Sequence, residues 1–369
     1  MSDAILCVDI GTTSLKAGLV TALGEVVSIC SVRFNSATDK YHIARKWLPA
    51  FKSAVKKLWA DCMERGLSVV LKAVSISGNG PTVVTEDGTT VLWNDSYSVS
   101  SERTGHSLFL PKIIALKELF SQEFVSSSHI FSGPEYLIWQ LTGSKVTILP
   151  EARFEPAYWN KEALEKEGIA EEKLPAFYTI GQQYGLINEE EACGLGLKAL
   201  PVFGAGPDFV AALIGTNTLQ AGYLCDRSGS SEGLNFCVPS AIRAQGVRTL
   251  PSVIPGLWNI SCLIPRSGRM PEKQRLSVLN DSLSLLKRLA KENAVTFPDK
   301  IFVTGGQSKN AAYMTRKANA LGITLVEANC DDAELLGDAS VAWFGLGKYK
   351  NLQEAAAAIV REGKYYEVL

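Results

Sequence analysis

Ile5-Leu6-Cys7-Val8-Asp9-Ile10-Gly11-Thr12-Thr13-Ser14-Leu15-Lys16-Ala17-Gly18-Leu19-Val20 reads as two buried β-strands joined by a tight turn. Asp9 falls where the first strand meets the turn, a place from which a carboxylate holds a cation. Gly11 lets the backbone close around a phosphate, and Thr12 and Thr13 supply hydroxyl and N–H donors. The same residues also suit an ordinary hairpin with a hydrophilic tip, and this stretch alone does not separate the two readings.

The 369 residues make two domains the natural expectation, each large enough for a substantial core. With 46% hydrophobic and 20% charged residues the chain reads as globular. A net charge of −1 offers no basic footprint for nucleic acid or an anionic membrane. The Met-Ser-Asp start carries no basic leader, and no run of about 18 apolar residues follows, so a cytoplasmic protein with no membrane partner is expected. Eight cysteines without a C-x-x-C pair and three scattered histidines signal neither a disulfide framework nor a zinc site.

Downstream of the hairpin, Val26 to Phe34 reads as a third strand and Trp47 to Arg65 as an amphipathic helix stopped by Gly66. Val69 to Ser77 is strand-like and leads into Gly78-Asn79-Gly80-Pro81, a loop at a strand end where ligands bind in α/β sheets. Thr90 to Trp93 reads as a strand closed by Asn94-Asp95. Trp93, Asn94 and Asp95 join an apolar face to hydrogen-bonding groups, which suits either a polyhydroxylated ligand or a turn after a core Trp. Leu110 to Gly143 is mainly helical in pattern, with Pro134 in a first turn.

Pro201-Val202-Phe203-Gly204-Ala205-Gly206-Pro207-Asp208 places one carboxylate at the start of an Ala-rich helix, where it suits either an ordinary N-cap or a functional group. Glycines pressed against that position suggest close approach by another group. Ala221 to Val238 repeats the opening design, a strand with an Asp, a turn of Gly229-Ser230-Ser231, then a second strand, as expected of an internal duplication whose turns cradle successive phosphates. Gly229-Ser230-Ser231-Glu232-Gly233 also fits the G-x-S-x-G elbow of hydrolases, but the next residues read as strand rather than helix and all three histidines come earlier. Leu276 to Ala290 is helical, with Leu279, Leu283, Leu286 and Leu289 near one face. Lys300 to Asn310 is a strand ending in Gly305-Gly306 before a further helix, a place for a flat heterocycle or a phosphate.

In this order the stretches resemble the FGGY family of carbohydrate kinases, in the actin and hexokinase-like superfamily, and look closest to its xylulokinase branch. Asp9 to Thr13 is similar to the family's first phosphate motif, Gly206-Pro207-Asp208 to its catalytic Asp segment, Gly229-Ser230-Ser231 to its second phosphate motif, and Gly305 to Asn310 to its adenosine motif. Pro111 to Lys117, Pro134 to Gly143 and Glu334 to Ala342 add further likeness. Four features depart from the pattern. The sugar loop Gly78-Asn79-Gly80-Pro81-Thr82 lacks the usual Met and His, Tyr97 replaces an Arg, Ala115 replaces a Trp, and the second half is shorter between Val238 and Lys300.

The resemblance implies a two-domain α/β actin/hexokinase-like (ribonuclease H-like) ATPase fold with a duplicated mixed β-sheet core and an interdomain cleft. The expected boundaries are 1–216 and 217–369. It implies ATP and Mg²⁺ as cofactors, a small sugar or polyol (a ketose such as xylulose foremost) as substrate, and a homodimer as the assembly to test. Asp208 would be the general base and, with Asp9, a metal ligand. Gly11, Thr12, Thr13, Lys16, Gly229, Ser230 and Ser231 would hold phosphate, Gly305, Gly306, Gln307 and Asn310 the adenine, and Asn79, Trp93, Asn94, Asp95 and Asp208 the sugar. The rewritten sugar loop and shortened half leave a second expectation, a nucleotide-binding or sensing protein of the same fold.

Overall fold

In the computed structural model, residues 2–34, 40–229 and 231–369 are described. Two large sheets organise the chain. The first is built from β1 (Ser2–Ile10), β2 (Ser14–Thr21), β3 (Val26–Arg33), β4 (Val69–Gly78), β5 (Gly185–Leu186) and β6 (Pro201–Pro207), in the order β5-β6-β4-β1-β2-β3. The second comprises β7 (Leu224–Ser228), β8 (Glu232–Val238), β9 (Arg248–Pro251), β10 (Trp258–Ile264), β11 (Lys300–Thr304), β12 (Thr324–Ala328) and β13 (Glu362–Tyr366), in the order β9-β10-β8-β7-β11-β12-β13.

The two orders express one plan. In the first, β1-β2-β3 is an antiparallel meander, while β4 and β6 run parallel to β1 and β5 is antiparallel to β6. In the second, β7, β8 and β10 form the meander, β11 and β12 run parallel to β7, and β13 is antiparallel to β12. The expected duplicated mixed α/β core is therefore present. The hairpin register lets each strand alternate its side chains between two covered faces, which explains the near-continuous apolar run of Ala4 to Val8, all buried.

Helices cover the sheets where their periodicity predicts. Trp47–Glu64 (α1) buries Trp47, Phe51, Val55 and Leu58 and ends at Gly66, whose φ is +63°. Between Leu110 and Gly143 the pattern is interrupted by a strand, Ile130–Ser132, before Gly133–Thr142 (α2). That strand pairs with Val83–Thr85, which also pairs with Thr90–Val91; the strand expected over Thr90 to Trp93 is thus only two residues long. Asp208–Gly215 (α3) follows β6, and Glu272–Glu292 (α4) buries Leu279, Leu283, Leu286 and Leu289 as expected. Ala311–Leu321 (α5), Ala333–Gly345 (α6) and Leu352–Ile359 (α7) complete the second half.

The two large sheets do not have separate apolar cores. Leu335, Leu336, Ala339, Trp343 and Ile359, from α6 and α7, pack in one apolar cluster with Ile5, Cys7 and Val20 of the first sheet. The two large sheets thus share one core through α6. Among the described residues no helix is long and apolar enough to cross a membrane.

Candidate active site

The parallel strands β6, β4 and β1 end side by side at Pro207, Gly78 and Ile10. Neighbouring strands lie about 4.8 Å apart, so Asp9 and Asp208 stand on the order of 10 Å from one another along the carboxyl edge of the sheet. This is the crevice at which open α/β sheets take ligands. Equivalent strands of the second sheet deliver Arg227 and Ser228 from β7, Gly305 after β11, and Asp332 to Glu334 after β12, where α6 begins.

Asp9 is 4% exposed, and its Oδ1 has no hydrogen-bond partner. Lys16, directly opposite in the β1–β2 register, puts its Nζ 3.7 Å from Asp9 Oδ2 and 2.7 Å from Asp332 Oδ1. Lys309 approaches the other Asp332 oxygen at 3.3 Å. Burial raises the Asp9 carboxyl to about 8; Lys16 opposes this, while Glu334, Asp208 and Asp332 add to it. Burial also tends to raise Asp332, but Lys16 and Lys309 outweigh it and hold that carboxyl below its ordinary value. One carboxylate is thereby poised near neutrality beside another that stays ionised.

Asp208 is the first residue of α3 rather than its N-cap; Pro207, extended at φ −60° and ψ 140°, holds the cap position. The shift has a physical reason, since a proline cannot donate to the ladder and its fixed φ suits the residue before the first helical turn. Burial raises the Asp208 carboxyl, with Arg227 pulling the other way. The Arg227 Nη2 stands 3.5 Å from Asp208 Oδ2.

The two turns are closed alike. Gly11 N–H donates to the Ser14 carbonyl at 2.9 Å, and Gly229 N–H to the Ser231 carbonyl at 3.2 Å. Thr12 and Thr13 sit on the first turn, Thr12 half-buried and Thr13 exposed. Ser231 Oγ accepts from the Arg266 N–H at 3.2 Å, and Ser230 lies outside the described residues. The Gly305-Gly306 turn is laced onto the second of these. Gln307 N–H donates to the Ser228 carbonyl at 2.9 Å, and its side-chain amide donates to the Gly229 carbonyl. Gly306 is open to solvent, whereas Asn310 caps α5 by accepting from Tyr313 N–H at 3.1 Å.

The residues expected to hold the sugar differ in their surroundings. Trp93 lies against the first turn, its indole N–H donating to Thr12 Oγ1 at 3.0 Å, and Asn94 is exposed. Asn79 is 2% exposed; its amide donates to the Ile10 carbonyl at 3.0 Å and its oxygen accepts from the Thr82 hydroxyl, so it clamps β4 to β1. Asp95 is likewise engaged, accepting from Lys40 Nζ at 3.1 Å and from Leu92 N–H at 2.9 Å.

The expected echo of Asp9 by Asp226 is corrected by the register. Asp9 pairs with Ser77, the residue before Gly78, and Arg227 pairs with Thr304, the residue before Gly305. Arg227 is therefore the counterpart of Asp9. Asp226 points to the other face, where it is fully buried and paired with Lys317. Arg227, Lys309, Asp332 and Glu334 are the crevice residues that pattern reading passed over. The signal for the last two is the repeat itself, since Asp332-Ala333-Glu334 opens a helix after β12 as Asp208 does after β6.

Two family models match this chain: the FGGY family of carbohydrate kinases, N-terminal domain, over residues 103–215, and the C-terminal domain of the same family over 280–346. Both domain models of the FGGY family of carbohydrate kinases are thus found in this chain, in order. The chain is similar to the xylulose kinase of Lactococcus lactis (24% identical over 294 residues, 66% of this chain) and to the L-fuculokinase of Escherichia coli O157:H7 (22% over 465 positions, 99% of this chain and 97% of the relative). The alignment covers 58% of the length of that xylulose kinase, so the chain spans about three-fifths of that relative. Its fold matches the ligand-bound xylulose kinase from Lactobacillus acidophilus (TM-score 0.80, 16% identity, 100% of this chain and 94% of that one). It also matches Plasmodium falciparum glycerol kinase with ADP (TM-score 0.80, 12% identity, 100% and 94%). These likenesses place the fold among the FGGY kinases, with their actin/hexokinase-like architecture.

Proposed function

We propose that this protein transfers the γ-phosphoryl group of ATP to a hydroxyl of a small sugar or polyol, a ketose such as xylulose foremost, with Asp208 as general base. The observation carrying this reading is the convergence of Asp9 and Asp208 on one strand-end crevice, with a glycine-led hairpin turn in each half of the chain. The xylulose kinases and fuculokinases among its relatives, and a glycerol kinase with ADP among its structural neighbours, support the class of donor and acceptor.

Asp208, at the first helical position, would accept the hydroxyl proton as the oxygen attacks; a base so placed contributes roughly 10² to 10⁴ in rate. Lys16 and the two turns would align the phosphates, and alignment with charge neutralisation is most of what phosphoryl transfer needs. Trp93 would offer the sugar an apolar face beside the first turn. The residues fit Mg²⁺. Asp9 Oδ1 and Glu334 Oε2 are buried without hydrogen-bond partners, and among the described residues no group of three or more acidic, His or Cys side chains forms a dedicated cage. That ion binds through one or two carboxylates with nucleotide oxygens and water. Asp9 and Glu334 would hold it, and bound there it would neutralise charge on the β- and γ-phosphates.

The test is ADP release across ketoses, polyols and aldoses, with Asp208→Asn as control. Sugar-stimulated turnover that drops at least 10²-fold in Asp208→Asn is expected; turnover indifferent to that change sinks the assignment. One observation favours a second reading, a nucleotide-binding sensor: Asn79 and Asp95 are spent within the fold. Nucleotide binding by calorimetry without turnover on any acceptor would select it.

A further inference from the structure

We infer that Arg227 is a catalytic residue of this site, a guanidinium that leaves Asp208 for the transferring phosphoryl group when the nucleotide binds. The inference rests on the kinase reading above.

Position comes first. Arg227 occupies, in the second hairpin, the place that Asp9 occupies in the first, two residues before the turn glycine and beside the residue preceding the glycine of the next parallel strand. The duplicated fold thus sets an acid and a base-pairing cation at equivalent points on the two walls of one crevice. If Asp9 works on the phosphates from one wall, its counterpart is aimed at them from the other.

Its present engagement is the second point. The contact with Asp208 is loose at 3.5 Å, against 2.7 Å for Lys16 on Asp332, and the Arg227 Nε is buried with no hydrogen-bond partner. The side chain is 27% exposed and Asp208 30%, so both reach the open crevice. A guanidinium with a free donor and a weak partner exchanges that partner for two phosphoryl oxygens, which its planar fork matches.

Distances then restrict what it can touch. A base accepts a proton from a hydroxyl oxygen about 3 Å away, and that oxygen stands roughly 3 to 3.5 Å from phosphorus in a reactive arrangement. A guanidinium already beside Asp208 is therefore within a side-chain rotation of the γ-phosphoryl oxygens. In the step, the acceptor oxygen forms its bond to the γ-phosphorus while the bond from that phosphorus to the β,γ-bridging oxygen breaks. The electron pair stays on ADP and the hydroxyl proton passes to Asp208. Arg227 forms no covalent bond; it offsets charge on the moving group, and its departure leaves Asp208 free to take the proton. With no nucleotide present the base stays paired.

The test uses the full-length protein with Arg227→Gln and Arg227→Lys, first confirmed to melt within a few degrees of the wild type. Calorimetry with ADP and with the non-hydrolysable β,γ-imido analogue of ATP separates the terminal phosphate from the rest. The expected result is unchanged ADP affinity, a loss of about tenfold or more for the analogue, and a fall in kcat of about 10²- to 10³-fold. Arg227→Lys should recover the charge but not the fork, leaving kcat well below wild type. Equal losses for ADP and the analogue, or an unchanged kcat, overturn the inference, since a merely structural arginine would not discriminate the two nucleotides. If Arg227→Gln fails to fold, the same split read on Arg227→Lys decides. A wild-type protein that binds neither nucleotide removes the kinase reading itself, and the inference with it.

Discussion

Gly337 lies so close to Ala211 that a Cβ on the glycine would stand 2.0 Å from the Ala211 carbonyl oxygen. The relation is reciprocal, for a Cβ on Gly215 would stand 1.7 Å from the Ala333 carbonyl. Helices α3 and α6 therefore meet backbone to backbone, which ties the helix that begins at Asp208 to the helix that presents Glu334. Gly337→Ala forces the helices apart and is expected to cost about 3 kcal/mol or more of stability, the upper range for overpacking. Guanidinium denaturation measures that loss. Nucleotide affinity should fall with it, because the walls of the crevice move; a variant as stable as wild type would mean that the contact is not tight.

Lys317 is fully buried between Asp226 and Glu232, and its Nζ also donates to Ser228 Oγ at 3.1 Å. Ser228 in turn donates to Glu232 at 2.8 Å, one residue before Gly229. The cluster thus stands directly behind the second turn. Lys317→Met leaves two buried carboxylates unpaired and should cost about 3 to 5 kcal/mol. Changing all three to Lys317→Met, Asp226→Leu and Glu232→Met is expected to return most of that stability while lowering nucleotide affinity, because Ser228 loses the partners that orient the turn. Recovered stability with undiminished ADP binding would show that the triad does not shape the turn.

Gly305 has φ +97°, and a Cβ there would meet the Ser228 carbonyl oxygen at 2.7 Å. Gly305→Ala is strained twice over, by backbone conformation and by contact with the second turn. A loss of about 2 kcal/mol by thermal or chemical denaturation is expected, with weaker ADP binding by calorimetry. Gly306, with nothing within 4 Å of its notional Cβ, is the control and should tolerate alanine.

Both hairpins are legible in the sequence because apolar runs broken by Gly and hydroxyl residues have few other solutions. The role of Arg227 is not, because it depends on register. Asp9 stands two residues before its turn glycine whereas Asp226 stands three before Gly229, so matching the two conspicuous acids lands on the wrong face. Asn79 and Asp95 carry groups suited to a sugar, yet their partners Ile10 and Lys40 lie 69 and 55 residues away in the chain. Local pattern holds no trace of such pairings. Glycine inside a helix reads as a weak point, and only the packing of α3 on α6 turns Gly215 and Gly337 into requirements.

Glu135, on α2, is wholly buried, with the Ile148 N–H donating to Oε1 at 2.9 Å and the Ser132 hydroxyl donating to Oε2. Burial raises its carboxyl from the ordinary 4.5 to about 7. The folded protein therefore holds this proton more tightly than the unfolded chain does. The resulting stability is present in full below pH 4.5, shrinks as pH rises and is gone above 7; the gap amounts to about 3 kcal/mol. Glu135→Gln stays neutral throughout and keeps an acceptor for Ile148 and a donor for Ser132. Relative to wild type it should thus gain about 3 kcal/mol between pH 4.5 and pH 8, even though Asp9 and Asp226 titrate in both proteins over the same range. Denaturation curves at the two pH values measure this difference directly, and a variant whose stability runs parallel to wild type would show that Glu135 is ionised in its buried setting.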